Sequence, residues 1–130
     1  MTLQREEGSR WEYCRLRKGT PEMPMIEDDT KQLIDTLNDC LVKCTACAQD
    51  CANQANADLT ECIKFCSDCA DLCQACVSLL ARGSKFSPEL CRTCADACDQ
   101  CAQECERTGM TECAEACRKA AEACRQMAAV

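Results

Sequence analysis

The chain has 130 residues, of which 18 are cysteine and none is histidine, and its formal net charge is −7. The acidic balance argues against nucleic-acid binding, because phosphate contacts need a basic patch. The missing histidine excludes Cys–His catalytic pairs and mixed Cys/His zinc motifs.

Residues 1–29 differ in composition from the rest of the chain. They are charged, interrupted by glycine and proline, and hold one cysteine, Cys14. We predict a tail with at most a short helix at about residues 4–18. The first residues, MTLQREEGSRWEYCRLRKGT, lack the apolar segment of a secretory signal, and no run approaches the about 18 apolar residues of a membrane helix. The expectation is a soluble, cytoplasmic protein, and in that reducing compartment dense cysteine favours metal over disulfides.

Residues 30–130 are predicted to form four helices joined by short turns. We expect Thr30, Asp58 (in a capping box with the glutamate three residues later) and Ser87 to cap the first three helices. Gly83 and Gly109 are expected to end the second and third. Short connections favour antiparallel neighbours, so the predicted fold is an all-α, antiparallel up-down-up-down four-helix bundle with a cysteine-lined core. The predicted helices cover about residues 30–55, 58–82, 88–107 and 111–128.

Within these helices the cysteines recur at gaps of three, four or seven residues, as in CRTCADACDQCAQEC at residues 91–105. This heptad spacing places side chains along one seam, where a bundle normally has leucine or isoleucine. In the fourth helix the seam has a gap at Ala120 and Ala121, where one more cysteine would fit. The candidate metal ligands are the seam cysteines Cys40, Cys44, Cys47, Cys51, Cys62, Cys66, Cys69, Cys73, Cys76, Cys91, Cys94, Cys98, Cys101, Cys105, Cys113, Cys117 and Cys124.

Burial of cysteine as a small apolar residue explains one or two such positions, but not a seam on four helices. Burial of apolar surface stabilises a fold by roughly 25 cal/mol per Å². Cysteine and alanine bury little such surface, so something else must fill the core. Disulfides within a helix fit poorly, because neighbours three or four apart point the same way and rarely give the required dihedral. Disulfides between helices remain open, although so many core cysteines cannot all pair.

Metal binding is the remaining interpretation, and charge favours Cu(I). Zinc held by four thiolates carries a net charge of −2, which is costly in a dry core, whereas each Cu(I) replaces one thiol proton. The hypothesis is a core filled by many Cu(I) ions, about one per cysteine. A metallothionein-like zinc or cadmium buffer is the nearest alternative, followed by an iron–sulfur electron carrier. A redox enzyme needs an exposed thiol at a helix N-terminus, and Cys91 is the one candidate.

The segments CLVKCTACAQDC, CIKFCSDCADLCQAC, CRTCADACDQCAQEC and CAEAC make residues 30–130 resemble the bacterial copper storage proteins. The resemblance implies a non-enzymatic Cu(I) storage or sequestration function, thiolate ligands from the core cysteines and a homotetramer. The lack of an export signal resembles the cytosolic branch of that family. Expected partners are copper ions and a copper chaperone or small-molecule thiol, and neither nucleic acid nor a membrane. Cys14 lies outside the motif, and no role is transferred to it.

Members of that family tend to carry histidine or methionine near the bundle mouth, and this chain has no histidine. We predict that copper enters at the end with the outermost cysteines, where Met110 is a further candidate ligand through its soft thioether. Packing of the adjacent loop is the alternative role of Met110. The residues expected at this end are Leu59, Cys51, Cys62, Cys105, Cys113 and Met110. The residues expected to plug the opposite end are Leu33, Leu37, Leu79, Leu80, Phe86, Leu90 and Met127.

Overall fold

The computed structural model describes residues 26–129, so the predicted helix at about residues 4–18 and Cys14 lie outside the described part. Each helix packs against its neighbours in the chain, and the fourth packs back on the first. The fold is therefore the predicted all-α four-helix bundle. No helix of the described range is long and apolar enough to span a membrane. The helices are α1 Asp28–Gln54, α2 Thr60–Ala81, α3 Ser87–Arg107 and α4 Thr111–Ala128, with a short 3-10 helix at Ala57–Leu59.

Consecutive helices are antiparallel, as the sulfur positions show. Cys51, near the end of α1, lies 3.7 Å (Sγ–Sγ) from Cys62 at the start of α2. Cys66 of α2 lies 3.6 Å from Cys105, near the end of α3. The α1–α2 and α3–α4 turns therefore share one end of the bundle, which we call the Met110 end. The opposite end, which holds the α2–α3 turn and the first turns of α1, is called the Leu37 end.

The predicted caps of α1 and α3 are wrong. α1 begins two residues before Thr30, at an acidic first turn that the helix dipole stabilises. Ser87 is the first residue of α3 rather than its cap, and its buried hydroxyl has no hydrogen-bond partner. The turn before it is held instead by the Phe86 N–H, which donates to the Ser84 hydroxyl at 3.1 Å.

The predicted capping box at Asp58 is also wrong. The Asp58 N–H donates to the Asn56 side chain at 3.0 Å, which starts the 3-10 helix, and α2 follows without a side-chain cap. Gly83 and Gly109 follow α2 and α3 with φ of 66° and 81°. Only glycine adopts this left-handed conformation without steric cost, so both residues end their helices.

The core consists mainly of cysteine and alanine, with leucine at the Leu37 end, where Leu33, Leu37 and Leu80 are buried. Phe86 was expected in this plug, but its side chain is 57% exposed because it precedes α3 and lies outside the seam. In the described residues Ser87 is the only buried polar or charged side chain apart from the thiols. The interior formed by residues 26–129 therefore contains no cation that would neutralise a group of thiolates.

Candidate metal centre

The 17 seam cysteines are all buried, and each is a free thiol. Their burial follows from the three- and four-residue spacing, which turns every one of them toward the bundle axis. Fifteen of them have 0% exposure, and the exceptions are Cys47 at 7% and Cys113 at 4%. The helices therefore bring together all the cysteines predicted as ligands.

The thiol contacts run mainly between helices, and Cys44 of α1 shows this best. Its Sγ atom lies 3.5 Å from Cys117 and 3.6 Å from Cys113, both on α4, and 3.9 Å from Cys101 on α3. Along α1 it contacts Cys40 at 3.8 Å. In the described residues, the same-helix sulfurs that hydrogen-bond are four positions apart, so the C-x-x-C pairs are not the units of the site.

The thiols form five overlapping groups, and within each group the sulfurs lie within 4.8 Å of one another. Consecutive groups share at least one thiol, which makes them one continuous column of sulfur. Such sharing lets one thiolate bridge two soft metal ions. From the Met110 end inward the groups are Cys47–Cys51–Cys62, Cys47–Cys66–Cys105–Cys113, Cys44–Cys101–Cys113–Cys117, Cys40–Cys44–Cys69–Cys117 and Cys40–Cys69–Cys73–Cys98.

The other four seam thiols form a separate set at the Leu37 end, which we call the end cluster: Cys76, Cys91, Cys94 and Cys124. Cys91 and Cys94 each interact with the thiols of Cys76 and Cys124. Cys94 also connects the end cluster to the column, because its sulfur lies 3.8 Å from that of Cys73. At this level α1 contributes leucine instead of cysteine, so the end cluster draws on three helices only.

The electrostatics of the thiols depend on burial and on their neighbours. Burial raises the pKa of Cys47, and a negative charge on Cys113 would raise it further. Burial likewise raises the pKa of Cys51. In the end cluster, hydrogen bonds from Cys124 and Cys76 lower the pKa of Cys91 to about 4. Cys91 is nevertheless fully enclosed, so it lacks the exposure that a redox thiol needs.

The Met110 end is closed along the bundle axis. Leu59 covers the sulfurs at 6% exposure, and the Thr108 hydroxyl donates to Cys62 Sγ at 3.6 Å. The Arg107 guanidinium donates to the Asp58 carbonyl at 2.7 Å, which ties the two turns together. Three thiols expected at an open rim are therefore enclosed: Cys51, Cys62 and Cys105.

An opening lies instead on the side of the bundle, as a groove of about 240 Å³ between α1 and the start of α4. The groove is lined from α1 by Lys43, Ala46, Cys47 and Asp50, and from the start of α4 and the residue before it by Met110–Cys113. Sequence reasoning predicted Cys47 as a core ligand but missed its position at this opening. The seam spacing treats it like any other core cysteine, and no signal in the sequence marks the gap beside it.

A four-helix bundle whose interior is a column of free thiols defines a metal-storing class of helical protein. The family model of the copper storage proteins matches residues 26–129, and the chain belongs to this family. The family, the fold and the copper-storage function predicted from the sequence are therefore confirmed.

Solved structures agree with this assignment. The chain is 36% identical to apo copper storage protein 3 of Bacillus subtilis, over 76% of this chain and 98% of the other, with a TM-score of 0.68. The Cu(I)-bound copper storage protein BsCsp3 is 33% identical over 78% and 99% of the two chains, with a TM-score of 0.74. The protein Nmul_A1745 of Nitrosospira multiformis is 36% identical over 78% and 95%, with a TM-score of 0.73. Comparison with curated proteins gives no significant match.

Proposed function

We propose that the core stores Cu(I) at about one ion per cysteine, with the 17 seam thiols as ligands and Met110 as an additional ligand at the surface. The observation that carries this proposal is the continuous column of thiol groups with shared members. Separate sites would need separate sets of ligands. A column with shared ligands instead suits many ions joined by bridging thiolates.

The sulfur spacing supports direct metal binding. With a metal–sulfur bond of about 2.3 Å, two sulfurs on one ion lie about 3.8 Å apart in a tetrahedral site, about 4.0 Å in a trigonal one and about 4.6 Å in a linear one. Cys40 and Cys69 lie 3.7 Å apart, and Cys47 and Cys62 lie 4.0 Å apart. For these two pairs, loading therefore requires the sulfurs to move apart by less than about 1 Å, even for linear coordination.

Charge favours a monovalent ion. A thiol that exchanges its proton for Cu(I) leaves the net charge of the core unchanged. Zinc on four thiolates leaves a charge of −2 at each centre, and the described core has no buried cation to offset it. The zinc or cadmium alternative rests on the four-thiol groups, which have the ligand number of a tetrahedral site.

We further infer that the protein stores copper without catalysing a reaction, because its enclosed thiols leave no room for a substrate. A copper chaperone or a small-molecule thiol would supply and accept the ion. The resemblance to copper storage proteins supports a homotetramer in the cytoplasm. Val42, which is 64% exposed on the outer face of α1, suits a contact between subunits.

Native mass spectrometry tests the stoichiometry, the metal and the assembly together. The reduced protein is titrated with Cu(I) against a competing chelator, and we expect saturation near one ion per seam cysteine. Saturation at one or two ions would contradict the proposal. Protein from cells supplemented with copper or with zinc is measured in the same way. Retention of zinc in preference to copper would establish the alternative.

A further inference from the structure

We propose that Cu(I) enters and leaves the core through the lateral groove between α1 and α4, where Cys47 and Cys113 receive it and the thioether of Met110 assists at the rim. This proposal rests on the Cu(I) storage function proposed above. It replaces the axial opening expected from the sequence with one on the side of the bundle.

Exposure is the first observation that points to the groove. Cys47 and Cys113 are the only seam cysteines with measurable residue exposure, at 7% and 4%, and both line the groove. Met110 lines the same groove and is half-buried against the core. A soft thioether thus lines the same groove as the only two seam cysteines of the described core that have measurable exposure.

Connectivity is the second observation. Cys47 and Cys113 belong to one four-thiol group with Cys66 and Cys105, and this group takes one thiol from each helix. Cys47 also belongs to the outermost group, and Cys113 to the next group inward. An ion bound in the groove can therefore pass outward through Cys47 or inward through Cys113, because each thiol is shared with a neighbouring group.

Entry along the bundle axis, at either end, would offer copper neither an exposed cysteine nor a direct connection to the column. Leu59 and the bond between Thr108 and Cys62 close the Met110 end, and the bond between Arg107 and Asp58 holds the two turns over the sulfurs. The Leu37 end is closed by buried leucines, which offer no ligand to copper. Copper crossing either end would have to separate packed side chains before it met a thiol.

The groove suits the copper-bearing end of a small thiol complex. Its volume of about 240 Å³ is below the about 300–1,000 Å³ of sites that enclose a whole small molecule. Transfer is a ligand exchange without oxidation or reduction. The bond from copper to the donor sulfur breaks, a bond to Cys47 Sγ forms, and the Cys47 thiol proton passes to the departing donor thiolate.

Alkylation of the native apo protein tests the opening without copper. The reduced protein is treated with N-ethylmaleimide for increasing times, and the modified positions are read by peptide mass spectrometry. Among the seam thiols we expect Cys47 to react first, followed by Cys113, with the others protected until the protein unfolds. Earlier modification of Cys51, Cys62 or Cys105 would show an axial opening and overturn the proposal.

Groove-filling variants test the route of copper itself. Ala46 is exposed on the α1 wall of the groove, whereas Ala97 lines a groove between α2 and α3 that exposes no seam thiol. Transfer from a Cu(I)–bicinchoninate complex is followed by stopped flow. We expect Ala46→Trp to slow it by at least about tenfold without changing the final copper content, and the matched control Ala97→Trp to behave like the wild type. Met110→Leu keeps the apolar volume and is expected to slow transfer to a smaller extent.

The outcomes distinguish the lateral entry route from the storage function. Wild-type transfer rates in Ala46→Trp, with normal copper content, would overturn the lateral route and leave storage intact. Failure of the unmodified protein to take up multiple Cu(I) ions would contradict storage itself. The alkylation pattern reports on the opening in either case, including the case in which Ala46→Trp does not fold.

Discussion

The sulfurs of Cys69 on α2 and Cys98 on α3 lie 3.4 Å apart, although the residues are separated by 29 positions in the sequence. Cys98 lies farther, at 3.9 Å, from Cys94 in its own helix. Cys69 has a second inter-helix neighbour in Cys40 at 3.7 Å. Copper bound at these sulfurs therefore links helices, and loading the core changes how tightly the bundle is held.

The position of a cysteine in the column should determine how many Cu(I) ions the protein loses when that cysteine is replaced. Cys44 belongs to two of the thiol groups, whereas Cys124 belongs to none of them and lies in the end cluster. We expect Cys44→Ser to lower the Cu(I) content at saturation by about two ions and Cys124→Ser by about one. Native mass spectrometry of the loaded variants measures both. Equal losses would show that sharing between groups does not set the capacity.

Leu37 should stabilise the apo protein without contributing to copper capacity. Its side chain is fully buried at the end where α1 carries no cysteine. Leu37→Ala is expected to lower the free energy of unfolding of the apo form by about 2–5 kcal/mol, since it leaves a cavity. Urea unfolding measures this loss, and native mass spectrometry should give an unchanged Cu(I) content. The exposed position Gln103, as Gln103→Ala, is the control and should change stability little.

Deprotonation of Cys47 and Cys51 should destabilise the apo protein at alkaline pH. Burial raises the pKa of Cys47 and of Cys51 above the ordinary thiol value of about 8.5. The unfolded chain therefore loses these protons at lower pH than the folded one. Their contribution to stability is full below that ordinary value and is lost as pH rises toward the folded-state pKa.

Urea unfolding of the apo form at pH 7, 8, 9 and 10 measures this dependence. We expect the urea concentration at the unfolding midpoint to fall from pH 8 to pH 9 and again from pH 9 to pH 10. The Cu(I)-loaded form serves as the control, because its thiols have already exchanged their protons for metal and should show no such fall. A midpoint of the apo form that rises between pH 8 and 10 would contradict the direction of these pKa shifts.

The sequence predicts the seam well because the seam depends on local geometry. Spacings of three and four residues place cysteine side chains on one helix face whatever the rest of the molecule does. All 17 seam cysteines are buried for this reason. The positions of Gly83 and Gly109 are equally local, because glycine adopts the left-handed conformation that ends a helix without the steric cost of a side chain.

Features that depend on packing between elements could not be predicted in this way. Thr30 and Ser87 have the residue type of a cap, but the helices start elsewhere and Ser87 is enclosed by the core. Phe86 is apolar and was placed in the plug, although its position before α3 points it to solvent. The opening beside Cys47 depends on the local separation of α1 and α4, which no periodicity in either helix reports.

Ala120 offers a gain-of-function test of the whole arrangement. It lies three residues after Cys117 and four before Cys124, so it occupies the seam position of α4 at which cysteine is missing. Its side chain is fully buried. Ala120→Cys should therefore add one thiol to the core and raise the Cu(I) content at saturation by about one ion. It should also connect the column to the end cluster, so that the last ions bound resist removal by a chelator.

Ala97→Cys is the matched control, since Ala97 is half-buried on the outer side of α3, away from the seam. It adds the same chemical group to the chain and should leave the number of stored ions unchanged. Native mass spectrometry of both variants at saturation makes the comparison. A gain in both would mean that copper content follows the number of cysteines wherever they lie. A gain in neither variant would mean that the space between the sulfurs, and not the number of thiols, limits how many ions the column holds.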